Sequence, residues 1–181
     1  MKYVLCLLLV LFSSMAGYAE VKEYECISVN SENVYEPDLR RMKANIVVKD
    51  AYLVEKRDLI DTARAAALDL YKQSEMDVIV VKIFPTEDYA KYFPQVLDMT
   101  YAPNKIGWSG QPSATWVAFI ADKMPTEKEM FKISTWIVEQ AKNQKTLMDK
   151  KEGIAKQLKL PVDDVYFPIF TLVPCVMENE G

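Results

Sequence analysis

The stretch NIVVKDAYLVEKRDLIDTARAAALDLYKQSEMDVIVVKIF, residues 45–84, decides the fold, because it sets two strand-like runs around one amphipathic helix. The first run, Asn45 to Lys49, is rich in β-branched residues, and the last, Asp77 to Phe84, is apolar on both faces. From Val54 to Tyr71, apolar residues recur every three or four positions, a spacing typical of a helix. This order predicts a βαβ crossover with parallel strands.

Further elements on both sides of this unit extend it into one mixed sheet. We predict strands at 24–30, 115–120 and 165–173, short helices at 86–93, 94–101 and 153–158, and a longer helix from Pro125. Thr126 and Glu129 have the spacing of a capping box at the start of that longer helix. The fold class predicted is α/β or α+β: a two-layer sandwich with a mixed sheet of about five strands and two main helices on one face.

The first nineteen residues have the pattern of a signal peptide. Lys2 precedes an apolar run over 3–12, and the small residues Gly17 and Ala19 fit a signal peptidase site. We expect a signal peptide over 1–19, cleavage after Ala19 and one globular domain over 20–181, in the periplasm or secreted. An apolar run of about ten residues is half of what a membrane-spanning helix needs. An uncleaved anchor is therefore the weaker alternative, and no transmembrane segment is expected after cleavage.

Composition excludes several classes of function. The chain of 181 residues has 22 Lys+Arg, 26 Asp+Glu and no His, so Ser-His-Asp catalysis and His-ligated metal sites are excluded. Loss of residues 1–19 removes one lysine and leaves an acidic chain without a basic run, which is a poor partner for nucleic acid. No calcium loop, phosphate-binding glycine loop or dinucleotide fingerprint is present, and we expect no metal and no cofactor.

Two cysteines remain once the signal peptide, which contains Cys6, has been removed. They are Cys26 near the start of the domain and Cys175 near its end. An oxidising compartment favours their pairing, so the sequence predicts a Cys26–Cys175 disulfide. The alternative is a pair of buried free thiols, since free cysteine packs like a small hydrophobic residue.

The loop YAPNKIGWSGQP, residues 101–112, is the candidate functional segment. Gly107 and Gly110 flank Trp108 and Ser109 in a chain that has few glycines, which suggests a loop with a shaped backbone. We predict a binding surface made of Tyr101, Trp108, Ser109 and Trp116, because aromatic side chains supply large contact area with few rotors. The alternative is that Trp108 folds back and covers the core.

This loop resembles a family of uncharacterised exported bacterial proteins built on a domain of unknown function. The resemblance lies in Tyr101-Ala102-Pro103, in Gly107-Trp108-Ser109-Gly110 and in Trp116, and it extends more loosely over 44–121. The family favours an Asp-Gly-Lys run where this chain has Asn-Lys-Ile, so Asn104 could not supply the chemistry of an ionised aspartate. The resemblance implies an exported single domain and no particular activity.

Two functional hypotheses follow. The first is a binding or protein-interaction module that engages a protein or an envelope component through 101–116 and an edge strand near Pro168, with its oligomeric state open. The second is a hydrolase that acts on a cell-envelope or extracellular substrate, through paired carboxylates or through Ser109 with Lys105. Whether the protein is an enzyme stays open at this point. The carboxylates near predicted strand ends are Glu87, Asp88, Asp98 and Asp122.

Overall fold

Six strands form a single mixed sheet in the computed structural model, which describes residues 20–32, 39–141, 147–165 and 171–175. The strands follow chain order across the sheet, and every neighbouring pair is antiparallel except β2 and β3, which are parallel. The predicted mixed sheet is confirmed, with six strands where about five were expected. The strands are β1 (Glu25–Ser31), β2 (Arg41–Val47), β3 (Val78–Phe84), β4 (Leu97–Tyr101), β5 (Trp116–Ala121) and β6 (Leu172–Cys175).

The predicted crossover is confirmed, since helix α1 (Lys56–Ser74) joins the parallel strands β2 and β3. The helix packs on β3 and β4. Its alanines 63, 66 and 67 are almost completely buried, and their small side chains allow the helix to approach the sheet closely. The main core lies in this layer, between α1 and the central strands.

Strand β4 corrects the prediction of a short helix over 94–101. Leu97 and Met99 are fully buried, whereas the alternate residues Asp98 and Thr100 are half-buried on the other side of the sheet. This alternation has a period of two, which is that of a strand. The backbone N–H and C=O groups of β4 bond to β3 on one side and to β5 on the other. A run of five residues has too little local pattern to predict this strand from the sequence.

Three further helices form a second group: α2 (Glu87–Ala90), α3 (Glu127–Ala141) and α4 (Leu147–Leu158). The predicted capping box at the start of α3 is confirmed, because the Thr126 N–H donates to Glu129 Oε2 at 2.7 Å and the Glu129 N–H donates to Thr126 Oγ1 at 3.3 Å. Helix α3 packs on α4 and α2. Phe84 at the end of β3 joins Tyr89 of α2 and Met130 of α3 in a second apolar cluster.

The last described strand lies at the edge of the sheet, as predicted, and begins at Leu172. Within the described residues it is β6, in which Cys175 pairs with Ala118 of β5. Pro174 has no N–H to donate, which is tolerated at an edge. The first part of the predicted strand, with Pro168, falls in 166–170 and lies outside the described residues.

The register gives the sheet two chemically different faces. On the face covered by α1, here called the helix face, Ile79 lies level with Met42 and Tyr101. We call the opposite side of the sheet the far face. The far-face residues of the four central strands include Arg41, Lys43, Asn45, Val80, Lys82, Asp98, Thr100, Val117 and Phe119. None of the helices described in the structure is both long enough and apolar enough to cross a bilayer.

Candidate functional site

The loop between β4 and β5 folds into a small hairpin of its own. The Gly107 N–H donates to the Gln111 carbonyl at 2.8 Å, and the Ser113 N–H donates to the Lys105 carbonyl at 2.9 Å. A further bond, from Gly110 to Gly107 at 2.9 Å, closes the tip. Because the backbone bonds to itself, the loop has a defined shape without help from a ligand.

The local backbone structure explains why glycine occupies positions 107 and 110 of the loop. Gly110 has a φ of 79°, a conformation that residues with a Cβ rarely adopt. At Gly107 a Cβ would lie 3.0 Å from the Cβ of Ser113, so a side chain there would push against the opposite strand of the hairpin. The two glycines therefore allow the tight hairpin that carries Trp108 and Ser109.

Trp108 is attached to the far face by two residues of β2. The Arg41 Nε donates to the Trp108 carbonyl at 2.8 Å, and the Lys43 ammonium lies 5.1 Å from the centroid of the indole ring. Lys43 also forms an ion pair with Glu32 at 3.0 Å. Trp108 is half-buried, and these contacts place it on the far face, away from the core under α1. It is not a lid on that core.

Tyr101 and Trp116 lie on the helix face. Their rings stack with centroids 4.3 Å apart, and Tyr101 also meets Tyr71 of α1 edge-on at 5.4 Å. The guanidinium of Arg64, also on α1, lies 5.5 Å from the Trp116 ring. The structure thus brings Trp108 and Ser109 together and separates both from Tyr101 and Trp116, which pack against α1.

A cavity of about 290 Å³ lies between the hairpin and the far face. Its floor includes Thr100 and Val117, which face each other across β4 and β5. The lining has no formal charge, and it combines hydroxyl and amide groups with one indole ring. The lining residues are Thr100, Gly107, Trp108, Ser109, Gln111, Pro112, Ser113 and Val117.

A charged pair occupies the next row of the far face. Lys82 Nζ lies 3.8 Å from Asp98 Oδ2, and Gln95 Nε2 donates to the same oxygen at 3.0 Å. Burial raises the pKa of the Asp98 carboxyl, and the charge of Lys82 partly opposes that rise. Sequence reasoning named Asp98 as a candidate acid but missed Lys82, because only the register of β3 with β4 places them side by side.

The other candidate groups for hydrolysis are not assembled into a site. Glu87 and Asp88 of α2 both pair with Lys91, the residue that follows the helix, at 3.5 and 2.8 Å. Asp122 accepts the N–H groups of its neighbour Lys123 and of Thr171, at 2.7 and 3.3 Å. In the part of the chain that is described, no hydrogen bond joins Ser109 to Lys105 and no group of three acidic or cysteine side chains could hold a metal ion.

Comparison with known proteins assigns the family. Residues 19–170 match the family described as Domain of unknown function (DUF4875). The chain belongs to this family. The predicted membership of an uncharacterised domain family is confirmed, and it brings no activity with it.

A solved structure supports the fold of this DUF4875 chain. The crystal structure of a DUF487 family protein from Desulfovibrio piger is 22% identical, covers 88% of this chain and 98% of its own, and has a TM-score of 0.67. At this identity the likeness concerns the fold alone. No protein with a curated description matches the chain.

Cys26 and Cys175 of this DUF4875 chain are free thiols in the structure, so the predicted Cys26–Cys175 disulfide is not formed. Cys26 lies on β1 and Cys175 on β6, the first and last strands of the sheet. Five strand spacings separate them, roughly 24 Å at about 4.8 Å each. A disulfide needs Cα atoms within about 7 Å of each other. The bond is therefore incompatible with this strand order.

Proposed function

We propose that this chain is a small exported domain that binds a partner protein or envelope component through the far-face cavity beside Trp108. One observation carries the proposal: the hairpin at the cavity is shaped by its own hydrogen bonds and attached to β2 through Arg41. A site that is already ordered loses little conformational entropy on binding. The aromatic ring and the neighbouring polar side chains are those that binding surfaces use.

The cavity favours an uncharged polar group on the partner. Its side chains offer hydroxyls from Thr100, Ser109 and Ser113 and an amide from Gln111, with no charged group in the lining. Two cations lie beside Trp108, and both are already engaged. Lys43 contacts Glu32 and the indole ring, and Arg41 donates to the Trp108 carbonyl. A volume of about 290 Å³ is at the small end of ligand sites, and suits one sugar ring or one polar side chain.

Export is the second part of the proposal. It rests on the pattern of residues 1–19, and it is consistent with a family match that begins at residue 19. Intact-mass measurement on the protein from a periplasmic or culture fraction tests it. We expect a chain that starts at Glu20. A chain in that fraction that still carries Met1, or no protein there at all, would overturn the proposal of cleaved export.

A photo-crosslinking amino acid at Ser109 tests the binding site in cells. We expect a discrete adduct at Ser109 and none from the same group at Ser134, which is exposed on α3 outside the site. The Trp108→Ala change should remove the adduct, whereas Trp116→Phe, on the helix face, should retain it. Binding at this cavity is excluded if the Ser109 adduct is absent or survives Trp108→Ala in a folded protein.

A further inference from the structure

The segment before β1 lies along helix α1. The Glu20 N–H donates to Asp58 Oδ1 at 3.0 Å, and the Lys22 N–H donates to the Thr62 hydroxyl at 2.9 Å. Further on, Tyr24 packs against the main core. Glu20 and Lys22 thus both meet α1, and the contacts begin at the first turn of the helix.

The spacing of these contacts follows from backbone geometry. Two residues of an extended chain span about 6.6 Å, and four residues of an α-helix span about 6.0 Å. An extended segment can therefore follow a helix in register, so that Glu20 meets Asp58 while Lys22 meets Thr62. Thr62 is fully buried, so its bond with the Lys22 N–H fixes how the segment is aligned along the helix.

We infer that Asp58 is the docking site for the N-terminal ammonium of the mature protein. This inference rests on the proposed cleavage after Ala19. Hydrolysis of the Ala19–Glu20 peptide bond consumes one water molecule. Its oxygen goes to the new Ala19 carboxylate, and its two hydrogens go to the Glu20 nitrogen, which becomes a positively charged ammonium. That nitrogen already lies 3.0 Å from a carboxylate oxygen. Removal of the signal peptide thus adds a positive charge to the donor of a hydrogen bond whose acceptor is already a carboxylate, so that the bond joins two opposite charges.

Positive charges lie close to the Glu20 nitrogen, so an ammonium at this position needs an anionic partner such as Asp58. Lys22 Nζ lies 3.1 Å from Asp58 Oδ2 and also pairs with the Glu20 carboxylate. A second positive charge belongs to Arg57, which precedes Asp58 in the helix. The Glu20 N–H and then Lys22 hold the pKa of Asp58 below its usual value. An ammonium near the start of a helix is also disfavoured by the helix dipole. Of the two nearby carboxylates, Asp58 is the one that accepts from the Glu20 nitrogen.

Two chains that differ by one residue test the inference. A fusion protein cut without a scar yields domains that start at Glu20 or at Ala19 and end at Gly181; only the first has its ammonium at residue 20. We expect Asp58→Asn to lower the melting temperature at pH 7 by about 1 to 3 °C more in the first chain. The matched control is Asp61→Asn, which removes the Arg64 ion pair on the same helix and should have equal effects in both.

The pH dependence gives a second readout. An amine that gains an anionic partner has a raised pKa in the folded state, so its stabilisation is present below about pH 8, where free α-amines titrate, and is lost as pH rises through the raised value. Equal Asp58→Asn losses in the two chains, or no change with pH, would overturn the inference. The mass of the exported protein separately tests the cleavage site, so the two failures are distinguishable.

Discussion

Arg41 and Trp108 lie 67 residues apart in sequence and are joined by a 2.8 Å hydrogen bond from the guanidinium Nε to the tryptophan carbonyl. Arg41 is only 1% exposed, and its Nη1 also donates to the Leu39 carbonyl at 3.2 Å. A buried guanidinium therefore ties the candidate loop to the sheet through its backbone. The position of the indole ring depends on this bond as well as on the ring's own contacts.

Replacing Arg41 with Met should destabilise the protein by about 2 to 4 kcal/mol, because two carbonyls in a buried region lose their donor. Chemical denaturation measures the loss, and faster proteolysis within 105–113 should accompany it. The neighbouring Arg40→Met is the control, since the Arg40 side chain is 54% exposed and its ion pair with Asp77 is a surface contact. Equal losses for the two variants would contradict the assigned role of Arg41.

Gly110→Ala should lower the free energy of unfolding by about 1 to 2 kcal/mol, because φ is positive at this position. Gly110→Asn should lose less, since asparagine tolerates left-handed backbone better than alanine does. Denaturant titration of the two variants provides the comparison. An alanine variant as stable as the parent would mean that the hairpin adopts another backbone conformation.

Trp116→Ala should cost more stability than Trp108→Ala. Trp116 stacks on Tyr101 and packs against the core under α1, so its removal should cost about 2 to 4 kcal/mol. Trp108→Ala retains the carbonyl that Arg41 binds and removes a half-buried ring from the far face. Thermal unfolding of both variants distinguishes these roles, and the reverse order of losses would contradict the assignment to opposite faces.

Cys26 and Cys175 should each react with a thiol reagent in the folded protein. Cys26 is exposed and should react first. Cys175 is partly buried, and burial raises the pKa of its thiol, which lowers its thiolate fraction and its rate. Intact-mass analysis of the labelled, unreduced protein counts the modified sites. An unlabelled monomer lighter by two hydrogens would show the intramolecular disulfide that the strand order excludes.

The capping box of α3 should contribute to stability in a pH-dependent way. The Thr126 N–H holds the pKa of Glu129 below its ordinary value of 4.5. A lowered pKa in the folded state means that this contribution is present above about pH 4.5 and is lost as pH falls through the lower, folded value. Thr126→Ala should cost about 1 kcal/mol at pH 7.

Glu129→Gln is the matched variant for that experiment, because it retains a group that accepts a hydrogen bond but does not ionise. Its stability should change less than that of the wild type between pH 5 and pH 3, as measured by thermal unfolding across that range. Identical pH profiles for the two proteins would contradict a role for the ionised Glu129 carboxylate.

The parts of the fold that were predicted correctly are those in which local pattern and tertiary structure agree. The helix over 54–71 has its apolar residues on one side, and that side is buried against the sheet in α1. The cap at Thr126 needs only a neighbour three residues away. Strand β4 was missed because Leu97 to Tyr101 becomes a strand by pairing with β3 and β5, and both of these strands are separated from it by loop residues.

The candidate site was predicted only in part, and the reason is the alternation of side chains along strands. The residues Tyr101, Trp108 and Trp116 are close in sequence and were expected to share a surface. Tyr101 and Trp116 form a cross-strand pair and must therefore lie on the same side of the sheet. The hairpin between them folds toward the other side, which local sequence does not specify.

The sequence by itself determined the elements whose information is local: the crossover unit, the cap of α3, the glycine positions of the loop and the family to which the chain belongs. Tertiary structure alone decided which residues meet. It placed Cys26 and Cys175 at opposite edges, and it placed Trp108 on the far face beside Lys43. The physical reason is that periodicity and capping act within a few residues, whereas strand order and register depend on pairing between distant segments.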